Sequence, residues 1–247
     1  MADLAWLTAR PVAHRGLHDA ARGILENSGS AIDAAVDAGY AIELDVQMSA
    51  DGEAMVFHDF TLDRLTGESG PLAARPAAEL AGLTLRGTAD PILTLPALLA
   101  RVAGRVPLVI EIKSDFSGDM RLTARAAALV AAYGGPAALM SFDPCVLVEL
   151  RRLAPHVARG IVAEGHYAPE HWPGMTSARS FALANLLHWP RSRFQFINYR
   201  VADLARPPVR LARALGMPVL AWTVRTPADR ARAVDGADQM VFEGFRP

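Results

Sequence analysis

Apolar and polar positions alternate along the chain in a pattern that predicts strands and helices in turn. Short apolar runs typical of strands are followed by segments with the 3.6-residue spacing of amphipathic helices. The predicted strands are Val12–Arg15, Ala41–Val46, Ala54–Phe57, Pro107–Lys113, Ala137–Phe142, Val157–Ala163, Phe194–Asn198, Val219–Val224 and Gln239–Phe242. The predicted helices are Ser30–Ala38, Pro96–Val102, Leu122–Tyr133, Pro144–Leu153, Ser177–Leu187, Pro208–Leu215 and Pro227–Val234. This alternation indicates parallel βαβ units.

Two segments interrupt the alternation. Phe60–Asp90 is rich in Gly, Pro and Arg and is predicted to be an insertion after the second strand, above the sheet. Glu164–Met175 is predicted to be a long loop, and its His166 and His171 are candidates to line a substrate site. Ser30 and Asp33 have the spacing of a capping box at the start of the first long helix. No linker or repeat divides the chain, so we expect one domain over residues 1–247.

Charged residues occupy strand positions that a parallel sheet normally fills with apolar side chains. Side chains alternate between the faces of a strand, so Glu43 and Asp45 share one face, as do Glu111 and Lys113. Carboxylates that converge in a buried place repel one another, and a hard divalent cation with oxygen ligands removes the repulsion. The pattern therefore predicts a metal site, with a salt-bridge network that includes Lys113 and Arg15 as the alternative.

Two histidines follow strand ends and suggest acid–base chemistry. His14 and Arg15 end the first strand, and His58 ends the short extended piece after the second. Histidine exchanges protons near neutral pH, and the arginine fork binds phosphate oxygens. With a lysine and a metal, these residues could carry out displacement at phosphorus. A histidine at a strand end is, however, more often a packed or solvated residue.

Composition narrows the function without deciding it. The chain has 247 residues, 51% of them hydrophobic and 21% charged, which suits a folded (β/α)8 barrel and also one large domain of another kind. The net charge of −1 offers no basic field for nucleic acid. Neither a signal peptide nor an apolar run long enough for a membrane span is evident, so we expect a cytoplasmic protein. Cys145 is the single cysteine. The oligomeric state is left open.

In order and spacing, the charged motifs resemble the signature of the glycerophosphodiester phosphodiesterase family. The motifs are His14-Arg15-Gly16, Glu26-Asn27, Glu43-x-Asp45, His58-Asp59 and Glu111-x-Lys113, followed by Ser141-Phe142, Trp222-Thr223-Val224 and Gly236-Ala237-Asp238. The resemblance covers nearly the whole chain. It implies a (β/α)8 TIM barrel, an α/β fold with a short insertion after the second strand, and hydrolysis of small-molecule glycerophosphodiesters to glycerol 3-phosphate and an alcohol.

The resemblance also implies a role for each matching residue. Glu43, Asp45 and Glu111 would hold Mg²⁺ or Ca²⁺, and His14 and His58 would form the acid–base pair. Arg15 and Lys113 would bind the phosphate, and Glu26 and Asn27 would support the site. Apart from the resemblance, Phe142, Trp172 and Trp222 are candidates for the apolar wall of the pocket, with core packing as the alternative for each. In such enzymes the glycerol hydroxyl beside the ester is proposed to attack phosphorus and form a cyclic phosphate.

One departure from the family pattern concerns the last strand. Many members end it with a Thr-Asp pair, whereas this chain has Phe242-Glu243, which leaves the role of Glu243 open.

Three other functions compete with this interpretation. The same residues serve phospholipase D-like enzymes that act on lysolipids, and lyases that stop at the cyclic phosphate. A barrel that binds phosphodiesters without catalysis would normally have lost a histidine or a metal carboxylate, and this chain has all of them. A sugar-phosphate isomerase or aldolase could use Lys113 as a Schiff-base amine, although its acidic and basic neighbours favour phosphate binding.

Overall fold

The computed structural model describes residues 4–247, which form a nine-stranded sheet surrounded by helices. The strands are β1 (Val12–His14), β2 (Ala41–Met48), β3 (Ala54–Val56), β4 (Leu108–Ile112), β5 (Ala137–Ser141), β6 (Ala158–Ala163), β7 (Phe196–Arg200), β8 (Val219–Val224) and β9 (Gln239–Phe242). The α-helices are α1 (Ala5–Thr8), α2 (Gly29–Asp37), α3 (Ala77–Leu80), α4 (Leu95–Val102), α5 (Arg121–Ala131), α6 (Pro144–Leu153), α7 (Ser177–Ala184), α8 (Trp189–Ser192), α9 (Pro207–Ala214) and α10 (Pro227–Gly236). Short 3-10 turns lie at Ala20–Arg22, Leu72–Ala74 and Val201–Asp203.

Eight of the strands are parallel and close into a barrel. Their order is β1-β2-β4-β5-β6-β7-β8-β9, and β9 pairs with β1 to complete the circle. The ninth strand, β3, pairs antiparallel with β2 and stays outside the barrel. The predicted (β/α)8 barrel with an insertion after the second strand is therefore confirmed. The register places His14 beside Glu43 and Asp45 beside Glu111.

The barrel interior is filled by inward-facing side chains from alternate strand positions. Its apolar members are Leu7, Val12, Ala41, Val109, Ala138, Met140, Ala158, Val162, Phe196, Leu220 and Val241. Leu7 comes from α1, which thus covers the end of the barrel where the strands begin. A Cβ atom at Gly160 would lie 2.3 Å from the ring of Phe196, so this strand needs glycine for that ring to fill the barrel. A larger apolar cluster lies between the strands and the outer helices.

The insertion has a small core of its own. Its buried members are Met55, Phe57, Leu62, Leu65, Leu72, Leu80, Leu85 and Ile92. This packing holds the segment after His58 against the barrel and brings Phe60 and Arg64 to the end where the strands finish. Among residues 4–247, no helix is long and apolar enough to cross a membrane.

The predicted capping box at Ser30 and Asp33 is wrong. The residue that caps helix α2 is Ser28, two positions before the predicted Ser30. Its hydroxyl accepts a hydrogen bond of 3.0 Å from the backbone N–H of Ala31. The extended backbone of Ser28 suits a capping residue, and Asp33 instead pairs with Arg101 on α4. Sequence spacing alone did not distinguish between two serines two residues apart.

Candidate active site

The three acidic side chains predicted on two strands converge inside the barrel. Glu43, Asp45 and Glu111 are all buried, and one carboxylate oxygen of each lies within 4.8 Å of the others. The convergence follows from the period of two in a strand and from the pairing of Asp45 with Glu111 across β2 and β4. The proposition that these side chains point inward together, on which the predicted metal site depends, therefore agrees with the structure.

Two cations partly neutralise this cluster. The ammonium nitrogen of Lys113 lies 2.7 Å from Asp45 Oδ1 and 2.7 Å from Glu111 Oε1, and Arg15 Nε lies 3.2 Å from Asp45 Oδ2. Burial alone would raise the pKa of Asp45, but Lys113 and then Arg15 outweigh it and hold that pKa well below its usual range. Burial opposes the charge of Lys113, yet Asp45 and Glu111 raise the pKa of its ammonium. Lys113 is thus a charged group.

Glu43 is the member of the cluster without a close cation. Its nearest polar contacts are the backbone N–H of Arg15 at 3.2 Å and Nε2 of His14 at 3.8 Å. Burial, followed by repulsion from Asp45 and Glu111, raises the pKa of Glu43 well above its usual value. If all three carboxylates were ionised, the cluster would carry one more negative charge than Lys113 and Arg15 balance, and the raised pKa of Glu43 reflects burial and this repulsion. A hard divalent cation fits this all-oxygen set of donors.

The turn after β1 presents backbone and side chain to this cluster. Arg15 and Gly16 have φ angles of 55° and 81°, which end the strand and redirect the chain. A Cβ atom on Gly16 would lie 2.9 Å from backbone and side-chain atoms of Ala31 in α2. Both the left-handed conformation and the close approach require glycine. The glycine of the His-Arg-Gly motif thus fixes the position of the other two residues.

Glu26 and Asn27 lie beside the cluster and orient it. Asn27 Nδ2 donates to Asp45 Oδ2 at 3.0 Å, and its Oδ1 accepts from the Asp45 backbone at 3.3 Å. Glu26 Oε1 accepts from Arg15 at 2.6 Å. Although burial opposes it, hydrogen bonds from Arg64 and the charge of Arg15 lower the pKa of Glu26. Both residues therefore occupy the supporting positions expected of them.

Arg64 is a site residue that the sequence did not reveal. It donates to Glu26 at 2.8 and 2.9 Å and to Asp59 at 2.6 and 2.9 Å. Asp59 in turn lies 2.6 Å from Nδ1 of His58. The insertion therefore contributes a cation, Arg64, that links Glu26 to Asp59. Glu26 holds Arg15, and Asp59 holds His58. The sequence carries no signal for this role, because Arg64 is one of three arginines in an irregular segment, residues 60–90.

His14 is held by Glu243, the residue after the last strand whose role the sequence left open. His14 Nδ1 makes a short hydrogen bond with Glu243, and Arg225 Nε lies 2.5 Å from the same carboxylate. Burial lowers the pKa of His14 to about 4, and the contact with Glu243 opposes this shift only in part. At neutral pH His14 is therefore uncharged. His18, to which the sequence assigned no role, lies 3.8 Å from Glu243.

His14 and His58 both line one cavity of about 590 Å³ at the end of the barrel where the strands finish. The predicted aromatic residues form one wall, with Phe142 ring centroids 4.7 Å from Trp172 and 5.6 Å from Trp222. Trp172 is fixed by a 2.6 Å hydrogen bond to Glu164. His171 also lines this cavity, whereas His166 is exposed and is not among its lining residues.

Several lining residues were not predicted. They are Phe60, Ser114, Glu164, Asn198, Arg200 and Arg225. The alternation of β6 and β7 carried a usable signal, because Glu164 continues the inward face of Val162, and Asn198 and Arg200 continue that of Phe196. The other residues follow from loop geometry, which the alternation of a strand does not describe.

The sequence profile of the Glycerophosphoryl diester phosphodiesterase family matches residues 14–242. The chain belongs to this family. The family predicted from the motifs is confirmed, and with it the enzyme class, a phosphoric diester hydrolase.

Individual relatives agree over nearly full length. YhdW of Bacillus subtilis (strain 168), provisionally named a glycerophosphodiester phosphodiesterase, is 27% identical over an alignment of 238 residues, and the alignment covers 91% of each chain. A glycerophosphodiester phosphodiesterase from Agrobacterium tumefaciens is 26% identical with a TM-score of 0.69, and 94% of each chain is covered. An Oleispira antarctica phosphodiesterase in complex with the product sn-glycerol-3-phosphate has a TM-score of 0.77 at 22% identity, covering 96% of this chain and 94% of that one. The last likeness concerns the fold alone.

Proposed function

We propose that the protein hydrolyses glycerophosphodiesters to glycerol 3-phosphate and an alcohol. The observation that carries the proposal is the joint position of two carboxylate-held histidines, His14 and His58, on the cavity that also reaches Glu43 and Glu111. Family membership supports the reaction, and the glycerol 3-phosphate product bound to the Oleispira antarctica enzyme supports the kind of substrate.

The proposed cofactor is Mg²⁺ or Ca²⁺ held by Glu43, Asp45 and Glu111. The donor atoms are all carboxylate oxygens, which such cations prefer, and a bound cation would offset the repulsion that adds to burial in raising the pKa of Glu43. When bound, such a cation stabilises negative charge that develops on phosphoryl oxygens. Asn27 and Lys113 keep the Asp45 carboxylate oriented.

Arg15 and Lys113 are the proposed phosphate-binding cations. Both line the cavity, and both remain charged because buried carboxylates raise the pKa of each group. The ion pairs with Asp45 hold the two cations in place before a substrate arrives, so little reorganisation is needed on binding. A charged Lys113 is a poor nucleophile, which argues against the Schiff-base alternative.

His14 is proposed as the general base and His58 as the general acid in the first step. His14 Nδ1–H donates a hydrogen bond to the Glu243 carboxylate, which leaves Nε2 free to accept a proton from the glycerol hydroxyl. That oxygen forms a bond to phosphorus, the bond to the leaving alcohol breaks, and His58 donates a proton to the departing oxygen. Water then opens the cyclic phosphate with the two roles exchanged, which releases glycerol 3-phosphate.

The deciding experiment is a metal-depleted assay on glycerophosphocholine, its analogue without the free glycerol hydroxyl, and lysophosphatidylcholine. We expect release of choline from the first only, restored by Mg²⁺ or Ca²⁺ added separately. Equal turnover of the analogue would refute attack by the hydroxyl, and preferred turnover of the lysolipid would favour a lysophospholipase D-like enzyme. His14→Ala should lose turnover but keep its fold, and unchanged turnover would overturn the role of His14.

A further inference from the structure

A second cavity lies at the opposite end of the barrel from the catalytic residues. It has a volume of about 880 Å³ and is bounded by α1, by the segment from α8 to β7, and by α9 with the loop that leads into β8. These are the places where strands begin, whereas the catalytic residues lie where strands end. The apolar lining includes Leu4, Trp189, Phe194, Leu211, Leu215 and Met217.

A buried cation without a partner lies in the wall of this cavity. Arg159 belongs to β6 and points away from the barrel interior, because its neighbour Ala158 is part of the interior cluster. Only 9% of Arg159 is exposed, and its Nε atom is fully buried without a hydrogen bond. Within residues 4–247, its guanidinium has no ion pair. Burial, with repulsion from Arg151, lowers the pKa of Arg159, so the surroundings disfavour its charge rather than balance it.

The rest of the lining points to an anion as the missing partner. A second cation, Arg193, lies 4.5 Å from the ring centroid of Trp189, and no Asp or Glu is among the lining residues. Trp189, Leu211 and Leu215 are 39%, 62% and 76% exposed, so the apolar wall is open to solvent. Exposed apolar area beside an unpaired cation is suited to a ligand that has both a hydrocarbon part and a negative group.

We propose that this cavity binds a fatty-acid anion, with the carboxylate on Arg159 and the hydrocarbon chain along the apolar wall. The volume lies within the range of roughly 300–1,000 Å³ that small-molecule sites occupy. Arg159 is 9% exposed, which leaves room for the small carboxylate of a single-chain ligand that enters along the apolar wall. A symmetric dimer across this face would bring arginine against arginine, with no acidic residue of the lining to separate them.

The test is a calorimetric titration of the full-length protein with dodecanoate below its critical micelle concentration. Dodecyltrimethylammonium, which has the same chain and the opposite charge, is the control ligand. We expect saturable binding of dodecanoate alone, at least tenfold weaker in Arg159→Leu and also weaker in Leu211→Glu, which adds a negative charge at the rim. Arg210→Leu removes an exposed arginine of α9 outside the cavity and should bind as the wild type does.

Phosphodiesterase activity should be unchanged in Arg159→Leu, because Arg159 is far from the catalytic end of the barrel. The proposal is overturned if dodecanoate shows no saturable binding, if Arg159→Leu binds it unchanged, or if both ligands bind equally. Sedimentation that shows a dimer dissociated by Leu215→Glu would assign the face to self-association and would also overturn it. If Arg159→Leu does not fold, the charge preference and Leu211→Glu decide.

Discussion

Replacing Glu243 with glutamine tests the proposed role of the His14–Glu243 pair. The amide oxygen of glutamine can still accept a hydrogen bond from His14 Nδ1–H, so the ring stays in place while the negative charge is removed. Two unit charges in contact, at about 3 Å and an effective dielectric constant of about 20, interact by up to ~5 kcal/mol. Glu243 is 19% exposed and also pairs with Arg225, and both features weaken its interaction with His14. We therefore expect Glu243→Gln to remove about half of this interaction energy.

A loss of about 3 kcal/mol in the transition state corresponds to a kcat lowered roughly 100-fold. The pH profile adds a second readout. The carboxylate of Glu243 raises the pKa of His14, and removing it lets burial lower that pKa further. The acid limb of kcat, where His14 gains a proton, should therefore move to lower pH in Glu243→Gln. Steady-state kinetics on glycerophosphocholine at saturating metal measures both effects.

Glu170→Gln is the matched control, because Glu170 is an exposed loop residue that does not line the active-site cavity. Its kcat and pH profile should equal those of the wild type. A Glu243→Gln variant with kcat within twofold of the wild type, or with an acid limb displaced to higher pH, would refute the reasoning.

Three further predictions concern Arg64 beside the site, Gly16 in the turn after β1, and His188, which does not line the active-site cavity. Arg64→Leu removes the bridge between the two supporting carboxylates Glu26 and Asp59, so kcat should fall about tenfold. The free energy of unfolding should drop by less than about 1 kcal/mol, because Arg64 is 47% exposed. Steady-state kinetics and urea unfolding measure the two effects. Gly16→Ala should destabilise the fold by ~2 kcal/mol or more, because its Cβ would meet α2, whereas Gly23→Ala, at a similar φ in open space, should cost only about 1 kcal/mol; thermal unfolding compares them. Burial lowers the pKa of His188 from 6.5 to about 4, so the unfolded chain binds more protons between these values and stability falls as pH falls through this window. Between pH 7 and pH 4 the free energy of unfolding of His188→Gln should therefore fall less than that of the wild type, by up to about 3 kcal/mol. Urea unfolding at pH 4 and 7 measures this difference.

The features that could be predicted are those that depend on periodicity along single strands. Glu43, Asp45 and Glu111 stand at alternate positions of apolar strands, and a closed parallel barrel leaves such residues no place but its interior. Phe142 and Trp222 were also among the candidates for the aromatic wall that they form. The alternation of side chains along a strand thus determines which side chains face the barrel interior, and the order of the strands determines which of them meet there.

The features that could not be predicted depend on contacts between distant and irregular segments. Arg64 meets Glu26 and Asp59 only because the insertion folds over its own small core. Glu243 reaches His14 because β9 closes the barrel against β1, a contact across 229 positions of the chain. The cap of α2 was misassigned for a local reason, since the sequence around Ser28 offers two capping serines of similar quality.

Metal binding by the metal-free protein tests the central claim most directly. Titrated with Mn²⁺ as a spectroscopic substitute for Mg²⁺, the wild type should bind one ion per chain, and Mg²⁺ or Ca²⁺ should displace it. A Glu43→Gln, Glu111→Gln double variant should lose this ion while Glu243→Gln retains it. A double variant that binds Mn²⁺ as tightly as the wild type, or a wild type that binds none, would contradict the proposed carboxylate centre.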